Sequence, residues 1–235
     1  MLLIRVGESQ FAGEKDVAEQ LARWTRPSDP AGIALWQPTM PAGCHCDVLV
    51  ISPGGIVVIE VKGLKEGANG RMPSGPIETP GNGRWVCDGV ELELFLQDGS
   101  LNPLGQAQNY ATNLGQLFRE KLEVADLYVR ALVLLVKPQY AKGAPVEIAG
   151  GIHDYHEGRR GLLSVTTLTH PRASRSFRRY FHRLNERAQI TAATALEILE
   201  LLDVPGFTHE SLVAMRFPRE KSRYRRSRGT GTAAL

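Results

Sequence analysis

The sequence predicts an α/β protein, on three observations. Two β-branched apolar runs, residues 48–51 and 56–59, flank Ser52-Pro53-Gly54-Gly55, the pattern of two strands joined by a tight turn. Residues 128–136 are nearly all apolar and read as a central strand covered on both faces. Between them, Leu104, Ala107, Ala111, Leu114, Phe118 and Leu122 follow the 3.6-residue period of a helix that lays one stripe on a sheet.

Taken in order, residues 10–25 read as a helix, with Phe11, Val17, Ala18, Leu21, Ala22 and Trp24 as its apolar stripe and Arg26-Pro27 ending it. Residues 26–46 carry Pro27, Pro30, Pro38 and Pro41 and predict a loop with one short extended piece around residues 33–37. Residues 67–83 hold five Gly and three Pro, too many for a helix or a central strand. They predict a mobile loop leaving the Lys62 end, either a cover for substrate or a surface insertion. Residues 84–87 and 90–96 flank Asp88-Gly89 and predict a second hairpin that extends the sheet. Asn102 is the expected N-cap of the next helix, with Pro103 at its first position, and that helix runs to about residue 122. Shorter strands follow at 146–149 and 162–166, with His153, Asp154 and His156 as loop residues between them. Residues 174–188 predict a helix with Phe177, Tyr180, Phe181, Leu184 and Ala188 on one face. Arg175, Arg179, Arg183 and Arg187, joined by Arg178, form the other face; at 1.5 Å rise per residue they span about 18 Å, suited to a phosphate backbone. Helices over 191–202 and 208–215 precede a basic tail rich in Gly, Ser and Thr.

The first hairpin carries the chemistry. With the turn centred between Pro53 and Gly54, residues whose numbers sum to 107 lie opposite one another, so Asp47 faces Glu60. Their Cβ atoms are then about 5 Å apart, and Lys62, two positions on, shares the face. Every other side chain between Val48 and Val61 outside the turn is Val, Ile or Leu. Two carboxylates that close repel each other and are costly to desolvate unless a cation lies between them. A divalent metal meets that need, and hard oxygen ligands favour Mg²⁺ or Mn²⁺ over zinc. A solvated strand end with a Glu/Lys pair is the other reading, and spacing alone leaves both open. On the metal reading, Glu60→Ala is expected to abolish metal binding and spare the fold, because it removes one of two repelling carboxylates.

Asp47, a dozen residues, then Glu60-Val61-Lys62 on a hairpin resembles the core motif of the PD-(D/E)XK nucleases, and Ile59-Glu60-Val61-Lys62 looks like their NERD (nuclease-related) branch. Gly13-Glu14 opening the first helix and Asn102-Pro103-Leu104-Gly105-Gln106-Ala107 opening the helix after the sheet agree with that branch, so the resemblance spans roughly residues 10–122. It implies a restriction-endonuclease-like core, a mixed sheet flanked by helices. Residues 1–188 would form that domain, 189–215 a C-terminal helical extension and 216–235 a basic tail or linker. It further implies that Asp47, Glu60 and the main-chain carbonyl of Val61 hold Mg²⁺ or Mn²⁺ and that Lys62 orients the attacking water. Glu14 would hold a second metal or a water, and Gln106 would steady Lys62 or that water. Cys46 stands where family members write Pro, which changes only the local turn, since Pro donates no ligand.

Composition bounds the function classes. The chain has 235 residues, 43% hydrophobic and 23% charged, ordinary globular usage. It shows no apolar signal segment and no run long enough to span a bilayer, so a cytoplasmic protein is expected. Three cysteines argue against a disulfide framework, and Cys44-His45-Cys46 lacks a second ligand pair at a zinc spacing. Residues 216–235 hold seven basic side chains, among them Arg223, Arg225 and Arg226, against Glu220 alone, a balance of +6; the total of +3 leaves −3 for the rest. Such a tail binds nucleic acid or is a solvated linker. With the resemblance, these features point to a DNA endonuclease within a larger bacterial defence or DNA-repair system, joined to a helicase, kinase or ATPase, with a homodimer an open option. A nuclease-like module that binds nucleic acid or protein with little cleavage is the alternative.

Overall fold

Six strands make the main sheet of the computed structural model, in the order Leu2–Arg5, Ile33–Trp36, Val48–Ser52, Gly55–Gly63, Val129–Val136 and Val165–Thr167. Structure is described for residues 2–7, 32–40, 46–63, 77–78, 83–87, 89–94, 96, 99–122, 127, 129–136, 148–149, 165–167 and 190–219. The expected helices over 10–25 and 174–188, His153, Asp154 and His156, and the tail beyond Arg219 lie outside these residues.

The first four strands are β1 (Leu2–Arg5), β2 (Ile33–Trp36), β3 (Val48–Ser52) and β4 (Gly55–Gly63), followed later by β8 (Val129–Val136) and β10 (Val165–Thr167). β2, β3 and β4 run antiparallel to one another, whereas β1–β2, β4–β8 and β8–β10 pair parallel, so the sheet is mixed as expected. β1 was not among the expected elements: it is a four-residue edge strand whose apolar run is too short to signal one.

The β3–β4 ladder pairs Val48 with Ile59 and continues step by step to Ser52 with Gly55, the register set by a Pro53–Gly54 turn. Ser52 Oγ donates to the Gly55 carbonyl at 3.0 Å across that turn. Gly55 has φ 137°, which favours glycine over any residue with a Cβ. All of β3 and all of β4 before Gly63 are buried, on both faces.

The helix expected after Asn102 is α1 (Pro103–Leu122). The Gly105 N–H donates to Asn102 Oδ1 at 2.9 Å, which is the cap, and Asn102 Nδ2 donates to the Gly83 carbonyl at 2.8 Å, which ties the helix start to the preceding segment. Asn102→Ala is therefore expected to lower stability by about 1 kcal/mol from the lost cap alone. An unchanged urea unfolding curve would contradict this role. The buried stripe of α1 meets two apolar clusters. Tyr110, Ala111, Leu114 and Phe118 pack with Leu49, Ile51, Ile56 and Val58, and Leu104 and Ala107 pack with Val133 and Leu135.

The second hairpin forms, pairing Cys87 with Val90 and with Gly89 at φ 75°, but it does not extend the main sheet. Its strands β6 (Val86–Cys87) and β7 (Val90–Glu91) join β5 (Ile77–Glu78) and β9 (Ile148–Ala149) in a separate sheet ordered β7-β6-β5-β9. The reason is occupancy: β8 pairs with β4 from Ile56 to Gly63, so the edge of β4 beyond the first hairpin is taken. β5 also corrects the expectation for residues 67–83. Among the described residues of that stretch, Ile77 and Glu78 pair with Cys87 and Val86 on one side and with Ile148 and Ala149 on the other.

The C-terminal helices are α2 (Ala192–Leu201), capped by Thr191, and α3 (His209–Ala214), opened by a Thr208/Ser211 capping box. They share the core of the sheet: Ile190, Ala195, Ile198, Leu199, Leu212 and Phe217 sit in one buried cluster with Leu35, Leu49 and Phe118. The Ile190 N–H donates to the Pro53 carbonyl at 3.1 Å, and the Ala192 N–H to the Pro218 carbonyl at 2.9 Å. The packed chain thus reaches Pro218, inside the stretch expected to be tail.

Candidate active site

Strand β3 begins one residue after Asp47, so the chain opens away from β4 at that point. Carrying the ladder register one step past Val48 and Ile59 sets Asp47 across from Glu60. The Asp47 carboxylate caps the opened edge. The Val61 N–H donates to Asp47 Oδ2 at 2.6 Å, and Gln37 Nε2 donates to Oδ1 at 3.2 Å. A strand residue directs its N–H and C=O to the same side, so the Val61 carbonyl also faces the edge where the β3 ladder has ended.

Glu60 and Lys62 lie on the sheet face that α1 covers. Their neighbours in β8 are Val133 and Leu135, both packed against Leu104 and Ala107. Glu60 is 5% exposed and Lys62 7%, and Lys62 Nζ lies 2.7 Å from Glu60 Oε1. This buried ion pair revises the expectation for Glu60→Ala. Removing Glu60 takes a counter-charge 2.7 Å away from a buried ammonium, so the change is not neutral for the fold.

Gln106 is wholly buried one turn into α1, between Leu104 and Ala107 on one side and Tyr110 on the other. Its Nε2 donates to the Tyr110 hydroxyl at 3.0 Å, while its Oε1 is buried with no hydrogen-bond partner among the described residues. A buried acceptor left unmade is costly in an ordinary core and calls for a donor.

The fold therefore gathers Asp47, Glu60, Val61 and Lys62 at the end of one hairpin and sets Gln106 in the helix over that face. Glu14 and Arg175, Arg178, Arg179, Arg183, Arg187, Arg223, Arg225 and Arg226 lie outside the described residues. Among the described residues, no three His, Cys, Asp or Glu side chains converge. The donor set is a pair of carboxylates with a main-chain carbonyl beside them, all hard oxygens, and it fits Mg²⁺ or Mn²⁺ rather than a soft-ligand metal. The Gln106 oxygen, on the helix that covers this face, suits a water or ammonium donor.

The family model for the nuclease-related domain, NERD, matches residues 9–136, more than half of the chain. The chain belongs to the NERD family. Searches of curated proteins and of solved structures find no match to it. The matched stretch of the NERD domain contains Asp47, Glu60, Val61, Lys62 and Gln106 and ends on the last residue of β8. The mixed sheet with flanking helices is the α/β nuclease-like core that the motif implied.

Two residues of this candidate site in the NERD domain were not expected from the sequence. Tyr110 carried a usable signal, since four residues along a helix from Gln106 is contact spacing. Gln37 follows β2 directly and, by the β2–β3 register beyond Trp36 and Val48, falls opposite Asp47. No local pattern marked it.

Proposed function

We propose that this NERD domain is a Mg²⁺- or Mn²⁺-dependent nuclease that hydrolyses phosphodiester bonds of DNA. The observation that carries the reading is Lys62 Nζ held 2.7 Å from Glu60 in a buried site, on the face shared with Asp47. Asp47, Glu60 and the Val61 carbonyl would hold the cation. When bound, it supplies Lewis acidity toward a phosphoryl oxygen and a water of lowered pKa. Lys62 presents a fixed positive charge in a water-poor site, where it offsets negative charge developing on the phosphate far better than it would in water. Gln106, its nitrogen engaged by Tyr110, offers its carbonyl oxygen to orient a water or the Lys62 ammonium. Glu14 serves a second metal or water, and the arginines of residues 174–188 with the basic tail contact the DNA backbone. The larger setting is a bacterial defence or repair assembly.

The test is incubation of supercoiled and linear DNA, and of RNA, with wild type and Asp47→Asn in Mg²⁺ or Mn²⁺. Cleavage of DNA by wild type, lost in the variant and in excess chelator, is expected. No cleavage together with salt-dependent DNA binding would make the domain a nucleic-acid-binding module instead.

A further inference from the structure

We infer that Gln37 is a positioning residue for the metal-binding carboxylate of Asp47, an assignment that rests on the metal reading above. Three observations meet at this residue. Gln37 holds φ 45°, a left-handed conformation that a side chain other than glycine or asparagine rarely adopts. Its own N–H donates to the Asp47 carbonyl at 2.8 Å, and its side-chain Nε2 donates to Asp47 Oδ1 at 3.2 Å. Its backbone is also closed in from the opposite side. The N–H groups of Val6 and Gly7 donate to the Trp36 carbonyl at 3.0 and 3.4 Å, and a Cβ added to Gly7 would meet the Gln37 carbonyl oxygen at 2.8 Å.

The turn after β2 is thus gripped between the end of β1 and Asp47, and the strained residue spans the gap with two donors to one aspartate. A turn required only to change chain direction would favour glycine at this φ, which relieves the strain. Glutamine adds an amide that reaches Oδ1 while the Val61 N–H holds Oδ2. With both oxygens fixed, the carboxylate plane is set relative to Glu60, and a cation finds its ligands already oriented. Partners that orient a metal ligand typically change metal affinity by about 10–100-fold when removed.

Two variants separate positioning from structure. Gln37→Gly removes the amide and relieves the left-handed strain; Gln37→Met removes the amide, keeps the side-chain length and keeps the strain. Each is titrated with Mn²⁺ alone by calorimetry and unfolded in urea without metal. The expected result is a Kd for Mn²⁺ raised about tenfold in both variants, while the unfolding midpoint of Gln37→Gly lies at or above that of wild type and that of Gln37→Met lies below it. Wild-type Mn²⁺ affinity in both variants overturns the assignment and leaves the metal reading standing. Affinities that follow the unfolding midpoints overturn it as well, since a purely structural role gives that pattern. No saturable Mn²⁺ binding by wild type overturns the metal reading itself, and this assignment with it.

Discussion

Lys62→Met is expected to lower DNA cleavage by about 10²–10³-fold, the scale on which a single preorganised charge or donor acts on a transition state, and at the same time to tighten Mn²⁺ binding. The two effects have one cause. Lys62 Nζ sits 2.7 Å from Glu60 Oε1, so the ammonium neutralises the carboxylate that a metal would use. A charge within ~4–6 Å shifts a neighbouring group's preference by about 1–3 log units, so removing a competing cation should strengthen metal binding by roughly tenfold or more. Methionine fills the apolar volume of the lysine stem and leaves no charge. Calorimetric titration with Mn²⁺ and a plasmid-nicking time course check the two halves. Weaker Mn²⁺ binding in Lys62→Met would mean that the lysine supports the metal site rather than competing with it.

Glu60→Leu is expected to destabilise the fold by about 3–5 kcal/mol, because removing one member of a buried pair takes the close counter-charge from the other. The double variant Glu60→Leu/Lys62→Met should recover most of that loss. Replacing both members of a buried pair by apolar side chains is often neutral or stabilising, and here the neighbours are Val58, Val133 and Leu135, all apolar. Urea unfolding of wild type, both single variants and the double variant closes the cycle. Equal destabilisation of Glu60→Leu and the double variant would show that the ion pair is not what holds this strand end together. Recovered stability without metal binding would separate the two demands on these residues: a dry strand end would be better served by leucine and methionine, whereas the site keeps a pair of charges.

Much of this architecture is local information. The Ser-Pro-Gly-Gly turn and the period of two were enough to set the β3–β4 register and place Asp47 opposite Glu60, because in a hairpin the turn length fixes which residues face one another. The cap at Asn102 and the 3.6-residue stripe were enough for α1. What was not legible depends on distant segments. The second hairpin has the same turn chemistry whichever sheet it joins, and its place was decided by β8 occupying the edge of β4. β1 gains its strand character from β2, with only four residues of its own. At the site, the spacing of Glu60 and Lys62 put them on one face, but whether they pair or stand apart depended on burial, which the helix over them supplies. Gln37 was invisible because a left-handed glutamine has no sequence signature, and its importance is set by a contact to Asp47 across two strands.

The most direct measurement is calorimetric titration of Mn²⁺ into metal-free wild type and into Asp47→Asn, which keeps the side-chain shape and an oxygen for the Val61 N–H. The expected result is saturable binding by wild type and a loss in the variant at least as large as the roughly 10–100-fold seen when only a ligand's supporting partner is removed. Superimposable isotherms for the two proteins would contradict a metal site at the open end of this hairpin.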